Sequence, residues 1–226
     1  MKRHFKLILN IALILFVSIF QDLYIKEGSI AFKSLASIGF VLLGTLNLIF
    51  AIKNKSIKLK FSIIMVIGLF FAMLGDILLE IEFLVGAIFF AVGHVLFFIS
   101  YCFVEKFKWI DLIAGAILAV SSTLVIILVP VFDFGSSTME VLIILYAVII
   151  SLMLGKAITN FIRNRNLLNL IILIGSILFF FSDFMLLLDW FMDAGRNISL
   201  LCMVAYYPAE CLLGHSIFAY VQRKQI

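Results

Sequence analysis

Eight apolar runs follow one another along this chain, separated by short polar stretches: 5–24, 29–52, 61–81, 83–104, 109–129, 139–157, 167–188 and 198–221. Each is about 20 residues long, the length an α-helix needs to cross the hydrocarbon core of a bilayer. Strands of a membrane barrel would be half as long and would alternate polar with apolar residues, which these runs do not. Inside lipid every backbone N–H and C=O needs a partner within the protein, and a helix provides one segment by segment. Composition agrees: 65% of the 226 residues are hydrophobic and 13% charged, against roughly half and a quarter in a soluble domain. The predicted fold class is an all-α membrane protein with eight transmembrane helices, one domain over 1–226. The longest loops, near Asn54 and Asn164, are expected to run to about ten residues, too short for a core of their own.

Positive charge sets the expected orientation. With the N-terminus in the cytoplasm, that side collects Lys2, Arg3, Lys6, Lys53, Lys55, Lys58, Lys60, Lys106, Lys108, Lys156, Arg163, Arg165, Arg223 and Lys224. Of the 17 basic residues only Lys26, Lys33 and Arg196 fall elsewhere. Both termini are therefore predicted to be cytoplasmic, in a multi-pass protein of the cell membrane, the cytoplasmic membrane of a bacterium. The first run follows three basic residues as a signal peptide would, but Gln21, Asp22 and Leu23 offer no small-residue cleavage site, so it counts as a span. A net charge of +4 is too small to suggest a nucleic-acid partner. Cys102, Cys202 and Cys211 lie in apolar runs without metal-ligand spacing and read as packing residues.

A weak repeat spans the two halves, 1–108 and 109–226. Leu74-Gly75-Asp76 in the third run is echoed by Phe181-Ser182-Asp183 in the seventh. Gly93-His94 in the fourth is echoed by Gly214-His215 in the eighth. A parallel duplication of four spans would produce this pattern.

Ionisable residues inside the runs are the ones that need a reason, since a carboxylate at a helix centre costs about 2.5–3.5 kcal/mol on insertion scales. They are Lys33, Asp76, His94, Asp183, Glu210 and His215; Asp22, Glu80 and Asp189 stand at run ends. Counting from the run ends at 1.5 Å per residue puts Asp76 and Asp183 at one depth, roughly 7–8 Å below the outer boundary. His94 and Glu210 fall nearer mid-membrane. Glu80, four residues after Asp76, shares its helix face. Together they describe a polar pocket open to the outside and closed below by His94 and Glu210. Bland readings stand beside this one: Lys33 snorkels to the headgroups, Glu80 is solvated at the rim, His94 bonds a neighbouring helix, and His215 is structural. Two carboxyls close together in a dry pocket cannot both ionise cheaply, so one keeps its proton, and an acid beside a base is the pair used to pass through an oxocarbenium-like state.

At these residues the sequence resembles the YhhN, or lysoplasmalogenase, family of membrane proteins. The resemblance rests on Gly75-Asp76-Ile77-Leu78-Leu79, on 90–94 with the aromatic run to Tyr101, on Ser182-Asp183, on Tyr206-Tyr207 and on Lys33. Ser34 stands where the family usually has proline, and Glu210 where it commonly has glutamine. The resemblance implies hydrolysis of the vinyl ether bond of a lysoplasmalogen, with the membrane lipid itself as the partner and no metal or organic cofactor. It implies catalytic aspartates at Asp76 and Asp183, with Lys33, Glu80, His94, Tyr206, Tyr207 and Glu210 binding substrate or supporting the acids. Lys33 would pair with the lipid phosphate. The alternative class is a small-molecule or lipid transporter that uses the same carboxylates. A metal-dependent hydrolase would want more convergent histidines than His94 and His215.

The charge pattern makes a topological prediction. Alkaline phosphatase fused after Arg223 should stay inactive in a bacterial host, and the same enzyme fused at Gly28 should be active; the reverse pattern would invert the bundle.

Overall fold

The computed structural model describes residues 3–53, 59–192 and 196–223. They form eight helices and, among the described residues, no strand: α1 (Arg3–Glu27), α2 (Ile30–Ile52), α3 (Lys60–Leu79), α4 (Phe83–Val104), α5 (Trp109–Leu128), α6 (Ser137–Arg163), α7 (Leu167–Phe191) and α8 (Arg196–Arg223). All eight are long and apolar enough to cross a membrane. Lys2, Lys55, Lys58 and Lys224 of the charge pattern lie outside the described residues.

Helix ends follow local chemistry. α1 stops at Gly28, whose φ of 67° suits a residue without Cβ, and its N–H closes on the Tyr24 carbonyl at 2.8 Å. α4 opens under Glu82, whose carboxylate accepts from the N–H groups of Leu84 and Val85 at 3.2 and 2.7 Å. Asn166 caps α7 through the Asn169 N–H at 3.0 Å. The largest departure from the expected boundaries is at the end of α6. α6 continues past Ala157 to Arg163, so the connection near Asn164 shrinks to 164–166 instead of a ten-residue loop. The reason is that the polar residues beyond the apolar run, Thr159 and Asn160, are buried and hydrogen-bonded, so they extend the helix.

α8 occupies the middle, packed on α1, α2, α3 and α7. Elsewhere the neighbours recur four helices on: α1 on α2 and α5 on α6, α2 on α3 and α6 on α7, α3 on α4 and α7 on α8, α2 on α8 and α6 on α4. The α8 contacts with α1 and α3 have no counterpart on α4, and the α5 backbone comes close to that of α6 alone. That pair approaches backbone to backbone, because a Cβ on Gly155 would land on the backbone of Gly115.

Two buried polar clusters staple the bundle away from the aspartates. Asn10 of α1 and Asn47 of α2 exchange amide hydrogen bonds at 3.0 and 2.8 Å, Asn47 also donates to Gly214 O at 3.1 Å, and His215 Nδ1 sits 2.9 Å from Asn10 Oδ1. His215, read from the sequence as structural, thus has a partner on α1. The second cluster gives Lys156, counted from the sequence among the cytoplasmic-side charges, a buried partner. Its side chain is fully buried, as is that of Asp111, and the two pair at 2.7 Å. Thr159 donates to Asp111 Oδ1 at 2.5 Å and Arg163 at 3.1 Å, and Lys156 also reaches the Glu105 carbonyl at 3.0 Å. An ammonium buried about two helical turns from the end of α6 is tolerated only because α5 supplies the carboxylate.

Removing one partner of that pair strands the other. Asp111→Ala should destabilise the folded protein by about 3–5 kcal/mol, and Asp111→Leu combined with Lys156→Met should recover most of the loss. Thermal unfolding in detergent measures both, and a single variant as stable as wild type would show that the pair is not holding α5 to α6.

Candidate active site

Asp76 enters the bundle on the last turn of α3 and is 2% exposed. Its Oδ2 accepts from Ser37 Oγ on α2 at 2.5 Å and from the Tyr207 hydroxyl on α8 at 3.0 Å. Its Oδ1 lies 3.4 Å from Lys33 Nζ. Lys33, also 3% exposed, pairs more closely with Glu80 Oε1, at 2.6 Å, and stands 5.2 Å over the ring of Tyr24. Tyr24 in turn donates to the same Glu80 oxygen at 2.6 Å. The cluster is therefore Tyr24, Lys33, Ser37, Asp76, Glu80 and Tyr207, drawn from α1, α2, α3, the end of α3 and α8.

Two sequence readings change here. Lys33 does not snorkel away; its ammonium is held between Asp76 and Glu80, which places its positive charge on the protein's own acids. Glu80 is not a freely solvated rim residue. Partial burial opposes its charge, but the hydrogen bonds from Lys33 and Tyr24 outweigh that and hold its carboxyl below the usual glutamate range. A carboxyl so depressed stabilises the fold above its unfolded-state value and loses that contribution as pH falls through the folded-state value.

Asp183 sits on α7 with a side-chain exposure of 7%. Its Oδ2 accepts from the Tyr146 hydroxyl of α6 at 2.5 Å and faces His94 Nε2 of α4 at 3.0 Å. Tyr146 and His94 are themselves 2.9 Å apart, and the imidazole edge rests on Phe179 at a centroid distance of 4.6 Å. Asp76 on α3 thus takes donors from α2 and α8, and Asp183 on α7 takes them from α6 and α4, the same arrangement four helices on.

The two carboxyls line one cavity of about 380 Å³, together with Tyr24, Lys33, Glu80, Phe90, Asp189 and Tyr206. No hydrogen bond joins them among the described residues, so the expected pair sharing one proton is replaced by two acids with separate donors facing a common space. Asp76 is three residues short of the end of α3 at Leu79, and Asp183 is eight short of the end of α7 at Phe191. Both line the same cavity although their distances from the helix ends differ.

Tyr206 packs its ring edge-on to Phe90 and Phe179, centroids 5.7 and 5.5 Å away, and donates to the Ala72 carbonyl at 3.3 Å. Glu210 is fully buried one turn beyond Tyr207, and neither of its oxygens has a hydrogen-bond partner among the described residues. The sequence reading missed Ser37, Tyr146 and Tyr24. Ser37 carried a signal, four residues after Lys33 on the same helix face; Tyr146 is the only tyrosine of α6. Among the described residues no three His, Cys, Asp or Glu side chains gather as a metal site would need.

No curated protein and no solved structure matches the chain. A model of the YhhN family matches residues 28–217, a stretch that holds both aspartates and every partner named above for them, and the chain belongs to that family.

Proposed function

We propose that this protein hydrolyses the vinyl ether bond of a lysoplasmalogen within the membrane, releasing a fatty aldehyde and a glycerophospho-base such as glycerophosphoethanolamine. The observation that carries this reading is that Asp76 and Asp183 face one cavity from opposite helix sets while differing in their surroundings. One lies beside an ammonium, and the other is held by a phenol and an imidazole. The family membership supports it. By the charge pattern the cavity opens on the outer side of a bacterial cytoplasmic membrane.

The chemistry needs an acid and a stabilising anion. Protonation of the alkene carbon that bears the alkyl chain gives an oxocarbenium ion; water adds to the other alkene carbon; the hemiacetal then collapses to aldehyde and alcohol. Asp183 suits the acid. Both of its partners converge on Oδ2, which leaves Oδ1 to carry and deliver a proton. Asp76, ion-paired with Lys33, suits the anion that stabilises the cation and accepts a proton from the attacking water. Ser37 and Tyr207 hold its carboxylate still while charge develops opposite it. Lys33 and Glu80, with Asp189 on the same wall, give the headgroup side of the cavity a polar lining. His94 orients Asp183, and Tyr206 with Phe90 supplies the apolar floor.

Asp76→Asn and Asp183→Asn should each lower aldehyde release from a lysoplasmalogen by roughly 10²–10⁴-fold, the usual worth of a general acid or base, with thermal unfolding little changed. Chelators should leave the wild-type rate unaltered. Full activity in either variant would remove the pair from the mechanism, loss of activity with a chelator would assign the chemistry to a metal, and flux of the lipid across sealed vesicles without product would make the protein a carrier.

A further inference from the structure

Asp76 is partnered unevenly. Ser37 and Tyr207 both donate to Oδ2, so Oδ1 is the oxygen left to take a proton. The charge facing Oδ1 is the Lys33 ammonium, at 3.4 Å. That distance is long for an ammonium and a carboxylate, which pair at about 2.7–2.9 Å when nothing competes. Lys33 meets a different carboxylate, Glu80 Oε1, at 2.6 Å. Glu80 follows Asp76 by four residues, at the C-terminal cap of α3, so both acids lie on one face of the helix. One ammonium from α2 therefore faces both and leans to the outer one.

Tyr24 fixes that lean. Its hydroxyl donates to the same Glu80 oxygen at 2.6 Å, and its ring lies 5.2 Å from Lys33 Nζ, where an aromatic face attracts a cation. Among the described residues it is the one α1 side chain on the wall of the polar cavity. Other charged and titratable groups at this end are engaged elsewhere. On α1, Asp22 and Lys26 pair with each other at 2.6 Å, and Glu27 is exposed. On α8, Tyr206 and Tyr207 donate to the Ala72 carbonyl and to Asp76. On α7, Asp183 is taken up by His94 and Tyr146, and Asp189 shares the cavity wall. Glu80, held below the usual glutamate range by Lys33 and Tyr24, stays ionised at neutral pH and keeps its hold on the ammonium.

We propose that Glu80 and Tyr24 are positioning residues for the reaction at Asp76: together they hold the Lys33 ammonium just short of a close ion pair, so that Asp76 stays charged while its Oδ1 remains free to accept a proton. A buried carboxylate with no cation near it keeps its own proton and is no base. One locked against an ammonium at full contact is a weak base, because its charge is already met. Between these limits it is both charged and reactive, and a second carboxylate drawing the ammonium away is what reaches that state. Glu80 in this role acts through Lys33, and Tyr24 acts through Glu80. The role rests on Asp76 being the anion of the proposed hydrolysis.

Variants of the full chain in lipid nanodiscs, assayed on a lysoplasmalogen, test it. Glu80→Gln keeps the shape and removes the charge, so Lys33 closes on Asp76. Then kcat for aldehyde release should fall about tenfold with KM changed by less than about twofold, and the acidic limb of the pH–rate profile should move to lower pH by about one pH unit. Glu80→Asp, which restores the charge, should return most of kcat and the wild-type limb. Tyr24→Phe keeps the ring over Lys33 and loses the hydrogen bond; it should move both quantities the same way by less, and should add nothing to Glu80→Gln. A readout free of turnover is a hydrophobic carbodiimide, which couples to protonated carboxyls: at a pH on the acidic limb, labelling of Asp76 followed by peptide mapping should drop about fivefold or more in Glu80→Gln. A limb or a labelling level that Glu80→Gln leaves unchanged, or a Glu80→Asp variant as slow as Glu80→Gln at equal thermal stability, would overturn the role. A drop in labelling in a protein whose wild type frees no aldehyde would instead leave Lys33 positioned by Glu80 and remove the hydrolysis.

Discussion

A carboxylate or ammonium carried by a membrane-spanning helix keeps its place only if other helices bring it hydrogen bonds and opposite charge, because lipid offers neither. That requirement organises this bundle. Asp76 gathers α2 and α8 around α3; Asp183 gathers α4 and α6 around α7; Asp111 joins α5 to α6 through Lys156, Thr159 and Arg163. Apolar packing between helices adds little direction of its own in a bilayer, where the surroundings are as apolar as the helix faces. The polar contacts and the glycine approaches, such as Gly115 against Gly155, are what fix which helix stands beside which.

The same rule separates structural charges from chemical ones. The Asp111 cluster is sealed on all sides, with the carboxylate and the ammonium both fully buried and each donor aimed at an acceptor. Nothing is left over for a ligand. The two aspartates of the other clusters are equally well partnered on one side but open on the other, onto a chamber large enough for a small molecule. Each is satisfied behind and faces the cavity in front, the arrangement on which the proposed hydrolysis rests. Glu210, buried beneath with no partner among the described residues, adds a third acid whose arrangement nothing in the structure explains.

Near-recurrence of the packing gives the site its two-sidedness. Each aspartate takes its donors from the helix before it in the chain and from a helix of the other half, so neither half could hold its acid alone. The donors differ, an ammonium and two hydroxyls on one side and an imidazole and a phenol on the other. Two similar frames thereby present two dissimilar acids. Where the recurrence fails, at α5, an apolar chamber opens beside Asp183 and not beside Asp76, which distinguishes the two acids again.

Sequence alone determined the solvent and therefore the fold class: runs of membrane-spanning length leave helices as the answer, and charges within them must be paired or used. Asp76, Asp183, His94, Lys33 and Glu80 were visible because they break an otherwise uniform apolar pattern, and Tyr207 through the family resemblance. The donors Ser37, Tyr146 and Tyr24 were not, because a hydroxyl costs little in a helix and so leaves no mark until its partner is known. The pairing of Lys156 was missed for a related reason: a basic residue near a run end reads as an ordinary topology charge until Asp111 is seen across from it. Which acids face each other, which cation each receives, and that α5 stands away from α4 were decided only in the tertiary structure. Uniformly apolar helix faces do not encode their neighbours, and helix ends do not fix relative height. Both depend on contacts between residues far apart in the chain.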